Sequence, residues 1–157
     1  MKRDYCLHCV PCLIVVIVDQ ITKYLVVKNI GLNSGIQIIK GFFNLVHIRN
    51  NGIAFGLLKT HEFELGLNLL LIAIIIIIIS AFIWSLKLKN MDKIISLSLS
   101  FILGGAIGNL IDRIRFKEVI DFLDFYIVHY HWPAFNVADS AICVGVGIYI
   151  LSSMGHG

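Results

Sequence analysis

The sequence predicts an all-α membrane protein: four transmembrane helices, a small extracytoplasmic β-cradle in the first outer connection, and a short interfacial segment between spans three and four. Three observations carry this. Apolar residues make up 58% of the chain against about 45–50% in soluble domains, and charged residues 15% against about 25%. Four apolar runs come close to the roughly 20 residues that a helix needs to cross a hydrocarbon core about 30 Å thick. The polar residues beside those runs gather at one of their two ends. No Pro/Gly/Ser-rich linker divides the 157 residues, so residues 1–157 are expected to form a single membrane domain.

The first span is expected at about 7–27. Asp19-Gln20-Ile21-Thr22-Lys23 interrupts it and is tolerable only where those groups face protein or water. Met1-Lys2-Arg3 resembles the start of a signal peptide, but no small-x-small cleavage site follows, so the segment reads as a retained anchor. In the connection over 28–64, Leu45-Val46-His47-Ile48-Arg49 alternates as a half-buried strand does, and Asn50-Asn51-Gly52 supplies a turn. The second span, 65–86, holds an unbroken isoleucine series from Ile74 to Ile79 and no charge. The third is expected at 94–111. The connection over 112–133 is rich in aromatic rings (Phe116, Phe122, Phe125, Tyr126, Tyr130, Trp132), which favour the lipid–water interface. The fourth span, 134–154, carries one charge, Asp139.

In a chain of four spans the first and third connections emerge on the same side. That places Asp19, Lys23, Asn50, Asn109, Asp112, Arg113, Asp121, Asn136 and Asp139 at one membrane face, whichever way the protein is inserted. Lys87, Lys89 and Lys93 crowd the second connection, and with Lys2 and Arg3 they favour both termini inside. The net charge of +3 is spread along the chain without a basic cluster, which argues against nucleic acid as a partner.

Asp19 and Lys23 are four apart and share a helix face, where they can neutralise each other as a structural ion pair. Asn109 and Arg113 repeat the spacing with Asp112 beside them, after Gly104-Gly105-Ala106-Ile107-Gly108, whose small residues allow close helix approach. An orienting role suits Asp112 and Arg113. Asp121 and Asp139 lie among apolar neighbours near one surface. If they meet they cannot both ionise readily, so the pair shares a proton and can perform acid–base chemistry on a peptide bond without metal or covalent nucleophile. Lone aspartates there could equally cap helices or line a proton path. Asp124 ranks behind Asp139 as the partner of Asp121. Cys6, Cys9 and Cys12 with His8, and the His129/His131 pair, lack a complete ligand set, so no metal and no cofactor are expected.

These motifs resemble the lipoprotein signal peptidases, or signal peptidase II, nearly end to end. Asp19-Gln20-Ile21-Thr22-Lys23 is similar to the family's first-span motif, and Asn50-Asn51-Gly52-Ile53-Ala54-Phe55 to its Asn-x-Gly-Ala-Ala-Phe element, with Ile53 where the family usually has Ala. Gly104 to Arg113, Val119 to Phe122 and Pro133 to Ser140 resemble the remaining blocks in order and spacing. The cysteine-rich start is not part of the family pattern. The resemblance implies a membrane aspartic peptidase of the bacterial cytoplasmic (inner) membrane, with both termini cytoplasmic and its site towards the outer leaflet. It implies Asp121 and Asp139 as the catalytic pair. Asp19, Lys23, Asn50, Gly52, Asn109, Asp112, Arg113, Asn136 and Ala138 would then support the pair or hold substrate. The implied substrate is a diacylglyceryl-modified prolipoprotein cut before its lipidated cysteine, met in membrane lipid. A globomycin-type peptide inhibitor would take the same groove, and a monomer is expected.

Two rival readings are a small four-span transporter or proton-conducting protein using Asp19, Lys23 and Asp139, and a thiol oxidoreductase built on the amino-terminal cysteines. The first requires polar groups across the whole bilayer. The second requires activity to depend on Cys6 and Cys9.

Overall fold

A computed structural model of the chain describes residues 5–51, 72–73, 75–80, 82–83 and 93–154, with side chains from residue 9 onward. Its long helices are α1 (Tyr5–Asn29), α2 (Lys93–Phe116) and α3 (Val137–Met154). By length and composition Cys9–Asn29, Lys93–Phe116 and Val137–Met154 can each cross a membrane. The expected span 65–86 falls mostly outside the described residues. Within it, residues 72–73, 75–80 and 82–83 are helical, with Ile75 and Phe82 buried and Ile76 and Ile77 exposed.

The helices are inside-out relative to a soluble bundle. On α1 the buried positions are Val15, Asp19, Lys23 and Val26, spaced by three and four, while Leu13, Ile14, Ile17, Val18, Ile21 and Leu25 are exposed. Among the described residues the largest fully buried side chains are polar, led by Lys23, Asn136, Asp19 and Asp112. Lipid is as apolar as leucine, so what such a chain hides from it is charge and small residues. Helix α2 supplies the small ones. A Cβ on Gly105 would collide with the Ala138 carbonyl oxygen of α3, and one on Gly108 would stand 2.6 Å from Asp19 Oδ2 of α1. These two glycines bring three helices together where the polar residues meet.

Four strands form one antiparallel sheet in the order β1 (Gly35–Ile39), β2 (Phe43–Asn50), β3 (Val119–Ile127) and β4 (Tyr130–His131). The strand expected over Leu45–Arg49 lies within β2. The segment expected to be merely interfacial contains β3, the longest strand of the sheet, so the architecture is helices plus a sheet rather than all-α. Its backbone groups at the ends of the spans need partners, and pairing with β2 supplies them. Asn50 pairs with Val119 and Ile48 with Asp121, with a register shift between Leu45 and Ile48. The connections that carry β2 and β3 therefore lie on the same side of the helices. Lys117 takes a left-handed backbone conformation (φ 63°) and its N–H caps α2 at the Arg113 carbonyl, 3.0 Å away. The chain thus turns from α2 into β3 within two residues. Val26, Ile30, Ile120 and Phe122 seat the sheet on the end of α1.

Candidate active site

The site begins with the start of α3. Helix α3 opens three residues later than the apolar run suggested, because Asn136 caps it. Asp139 N–H donates to Asn136 Oδ1 at 2.9 Å, and Asn136 N–H donates back to Asp139 Oδ2 at 3.3 Å. This reciprocal arrangement is a capping box, and it fixes the Asp139 carboxylate in the first turn. The next free helical N–H, that of Ala138, donates to Asp19 Oδ1 at 2.9 Å, so a carboxylate of α1 also serves the α3 terminus.

The amide of Asn136 reaches the other carboxylate as well. Its Nδ2 donates to Asp121 Oδ1 at 2.7 Å, while Asn50 Nδ2 from β2 donates to Asp121 Oδ2 at 2.9 Å. Asn109 Nδ2 from α2 donates to Asp139 Oδ1 at 2.7 Å. Asp121 and Asp139, eighteen positions apart in the sequence, thus flank a single asparagine and are oriented by three amides. Asp121 is buried and Asp139 half-buried, so the pair is reached from the Asp139 side. Burial pushes the Asp121 carboxyl up to about 6, and the Asp139 charge adds to the rise. Hydrogen bonds from Asn50 and Asn136 and the Lys23 charge oppose it. The Arg113 guanidinium is within electrostatic reach of Asp139, Asp121 and Asp112.

Beneath the pair lies an ionic floor. Lys23 Nζ meets Asp19 Oδ2 at 2.9 Å and Asp112 Oδ2 at 2.8 Å, with all three side chains at most 2% exposed. Its third donor goes to Asn109 Oδ1 at 3.0 Å. Removing one partner from such a buried set costs about 3–5 kcal/mol, since the rest are left uncompensated. Asp112 Oδ2 also accepts the Ile120 N–H at 3.2 Å, tying the floor to β3.

The expected i,i+4 pairing of Asp19 and Lys23 is therefore present, joined by a second carboxylate that the spacing did not foretell. Ala138 is fully buried between the Asp19 carboxylate and Gly108. Gly52 lies outside the described residues, as do Ile53 and the side chains of Cys6 and His8. Asp124 is not brought to the pair: it accepts from Asn44 Nδ2 at 2.8 Å and meets His131 Nδ1 at 2.8 Å. Cys9, Cys12 and Cys143 are free thiols. Sequence reasoning passed over Gln20, whose Nε2 donates to Asp112 Oδ1, Asp19 Oδ2 and the Gly108 carbonyl at 3.0–3.2 Å. Its signal was available, since a glutamine inside an apolar span is as anomalous there as the aspartate beside it.

Along β3 from Asp121, Phe125 and Phe135 stack with centroids 5.8 Å apart. With Phe42, Tyr126, Ile127, Tyr130, His131 and Trp132 they line an aromatic cavity of about 550 Å³. One of its lining residues, Phe135, directly precedes Asn136 in the chain.

Apolar helices of spanning length, charges turned inward and carboxylates held at the span ends define the class: a multi-pass membrane enzyme. A family model described as signal peptidase (SPase) II matches residues 11–155. The lipoprotein signal peptidase of Syntrophotalea carbinolica is 44% identical over 145 residues, which is 92% of this chain and 88% of that protein. That of Geobacter metallireducens is 41% identical over 152 residues, 96% and 92% of the two chains. A bacterial membrane enzyme solved by the in meso method at 2.3 Å resolution is similar with a TM-score of 0.79 and 32% identity, over 93% of this chain and 86% of that one. The chain belongs to the signal peptidase II family and is a membrane peptidase.

Proposed function

We propose that this peptidase removes the signal peptide from diacylglyceryl-modified prolipoproteins, cutting before the lipidated cysteine by water attack assisted by Asp121 and Asp139. The observation that carries the reading is the placement of both carboxylates on Asn136. The half-buried Asp139 acts as the ionised member and takes a proton from water as its oxygen bonds to the scissile carbonyl carbon. Asp121, whose burial favours the protonated form, donates to the developing oxyanion. Collapse of the tetrahedral intermediate breaks the C–N bond as a proton passes to the leaving amine of the cysteine. Asn50, Asn109 and Asn136 orient the pair, and Asp19, Lys23 and Asp112 form the floor that holds the Asn109 amide. Arg113 offsets the charge, Ala138 supplies the N–H that holds the Asp19 carboxylate, and Gly52 is assigned with Asn50 to holding substrate.

The rest of the reading concerns the membrane. Asn51 lies at the sheet end of the bundle and α2 begins at the opposite end, and 65–86 is an apolar run of the length that a further span requires. Four spans with both termini cytoplasmic put the sheet and the pair at the outer leaflet of the inner membrane. A diacylated substrate then enters sideways from the lipid, each buried methylene contributing about 0.8 kcal/mol. The aromatic cavity beside the pair supports an apolar ligand, and a globomycin-type peptide would compete there. A monomer suffices, since one chain supplies every group named. Against a proton-conducting role, Ser98 and Ser100, buried lower on α2, donate their hydroxyls to carbonyls of their own helix.

The test is cleavage of lipidated and unlipidated precursors by the full chain reconstituted in lipid. Asp121→Asn and Asp139→Asn should each abolish turnover of the lipidated precursor while the protein remains folded and inserted, and the unlipidated precursor should be a poor substrate. Turnover retained in either variant would overturn the reading.

A further inference from the structure

The floor beneath the pair has a feature that charge neutralisation does not require: one of its three donors is spent on an amide. We infer that Lys23 is a positioning residue that sets the direction of the hydrogen bonds through Asn109, and so holds Asp139 as the acceptor of the pair. This rests on the proposed dyad and deepens it.

An asparagine amide presents an oxygen on one side and two N–H groups on the other, and either orientation could face a carboxylic group. An ammonium has no acceptor. The Asn109 atom 3.0 Å from Lys23 Nζ is therefore its oxygen, and the atom 2.7 Å from Asp139 Oδ1 is its donating nitrogen. The donating nitrogen thus engages Asp139 Oδ1 as an acceptor. Asn136 is locked from its own side, because the Asp139 N–H requires the Asn136 oxygen and leaves Nδ2 for Asp121. Both amides thus have a fixed polarity: Asn136 is set by a helix terminus, and the Asn109 oxygen by the Lys23 ammonium at 3.0 Å together with Asn136 Nδ2, which donates to it at 3.2 Å.

The same geometry keeps Lys23 from moving protons. Its three N–H groups face Asp19, Asp112 and Asn109, and the residue is 1% exposed. The charged groups around Asp139 are Asp19 and Lys23 on α1, Asp112 and Arg113 on α2 and Asp121 on β3. The Lys23 hydrogen bond reaches Asp139 through a single intervening amide, that of Asn109.

The experiment is the pH profile of cleavage by the full chain in lipid. The double variant Lys23→Met/Asp112→Asn removes the lysine while conserving the charge of the cluster. It should lower kcat about tenfold or more, the effect of losing a charged-group hydrogen bond. The acid limb of the profile should move up by about one pH unit, because an Asn109 amide no longer held by Lys23 no longer keeps its donor on the pair. KM should hold, because Lys23 does not touch substrate. Lys23→Arg, which keeps a donor-only cation, should restore the limb. Should the double variant fail to fold, Asn109→Ala breaks the same link with Lys23 in place and should shift the limb equally. A folded variant of either kind with the parental limb and only a lower amplitude would overturn the inference. If Asp121→Asn or Asp139→Asn retains turnover, the dyad itself fails; if both abolish turnover while the limb stays fixed, only the role of Lys23 does.

Discussion

Asn136 and Asp139 exchange hydrogen bonds at 2.9 and 3.3 Å, so the cap that starts α3 is also the clamp that holds a carboxylate of the site. A local device of helix initiation does the work of orienting a reactive group. This coupling makes the two roles separable by mutation, because serine caps a helix about as well as asparagine but has no amide to reach Asp121.

Asn136→Ala should lose both the cap and the Asp121 donor, whereas Asn136→Ser should lose only the donor. Thermal unfolding in detergent should place the serine variant above the alanine variant by about 1 kcal/mol. Cleavage should be impaired alike in the two, by about tenfold or more. Serine activity close to the parent would show that the Asn136 amide does not matter to Asp121.

The Asn50 amide donates to Asp121 Oδ2 at 2.9 Å and favours its charged form, against the burial that pushes this carboxyl up to about 6. If Asp121 acts as the protonated member, kcat/KM of the parent should fall as pH rises through that region. Asn50→Ala removes an influence that lowers the Asp121 value. Its alkaline limb should therefore move to higher pH, even as the maximal rate drops. A profile determination over pH 4 to 9 decides it, and a limb that moves down would contradict the assignment.

Much of this site was legible because polar residues in apolar runs are costly and therefore informative. Asp19, Lys23, Asn109, Asp112, Asp121, Asn136 and Asp139 could be picked out one by one and placed at one end by counting spans, and the sheet pairing of Asn50 with Val119 agrees. Less visible was β3, because the two aspartates of Val119–Ile127 stand three apart and break the alternation that marks a half-buried strand. The capping box was hidden for a related reason: the apolar run begins before Asn136, so hydropathy carries the helix past its true start. Partners such as Asp112 for Lys23 depend on how two helices pack, which neither sequence contains alone.

The small residues on α2 make a prediction about packing. A methyl group at Gly108 would stand 2.6 Å from Asp19 Oδ2, which is already bonded to Lys23 and cannot retreat without unpairing it. Gly108→Ala should destabilise the protein by about 1–3 kcal/mol, as overpacking does, and reduce cleavage with it. Gly147→Ala on α3 meets nothing within 4 Å and should leave both unchanged. Paired melts and turnover measurements check this, and equal behaviour of the two variants would sink the packing argument.

Asp124 supplies the sharpest control for the choice of carboxylates. It lies three residues from Asp121 on the same strand, so the two side chains leave opposite faces of the sheet. Their partners differ accordingly: Asp121 accepts from Asn50 and Asn136, and Asp124 from Asn44, with His131 on its other oxygen. Asp124 therefore fastens β4 and β2 to β3, and an asparagine there can keep one of the two contacts. Asp124→Asn should lower thermal stability by about 1 kcal/mol, the net value of a hydrogen bond, and leave turnover within about tenfold of the parent. Asp121→Asn assayed beside it should be inactive. Loss of all turnover in Asp124→Asn, with the protein folded, would mean that the reactive carboxyl of β3 has been assigned to the wrong face of the strand.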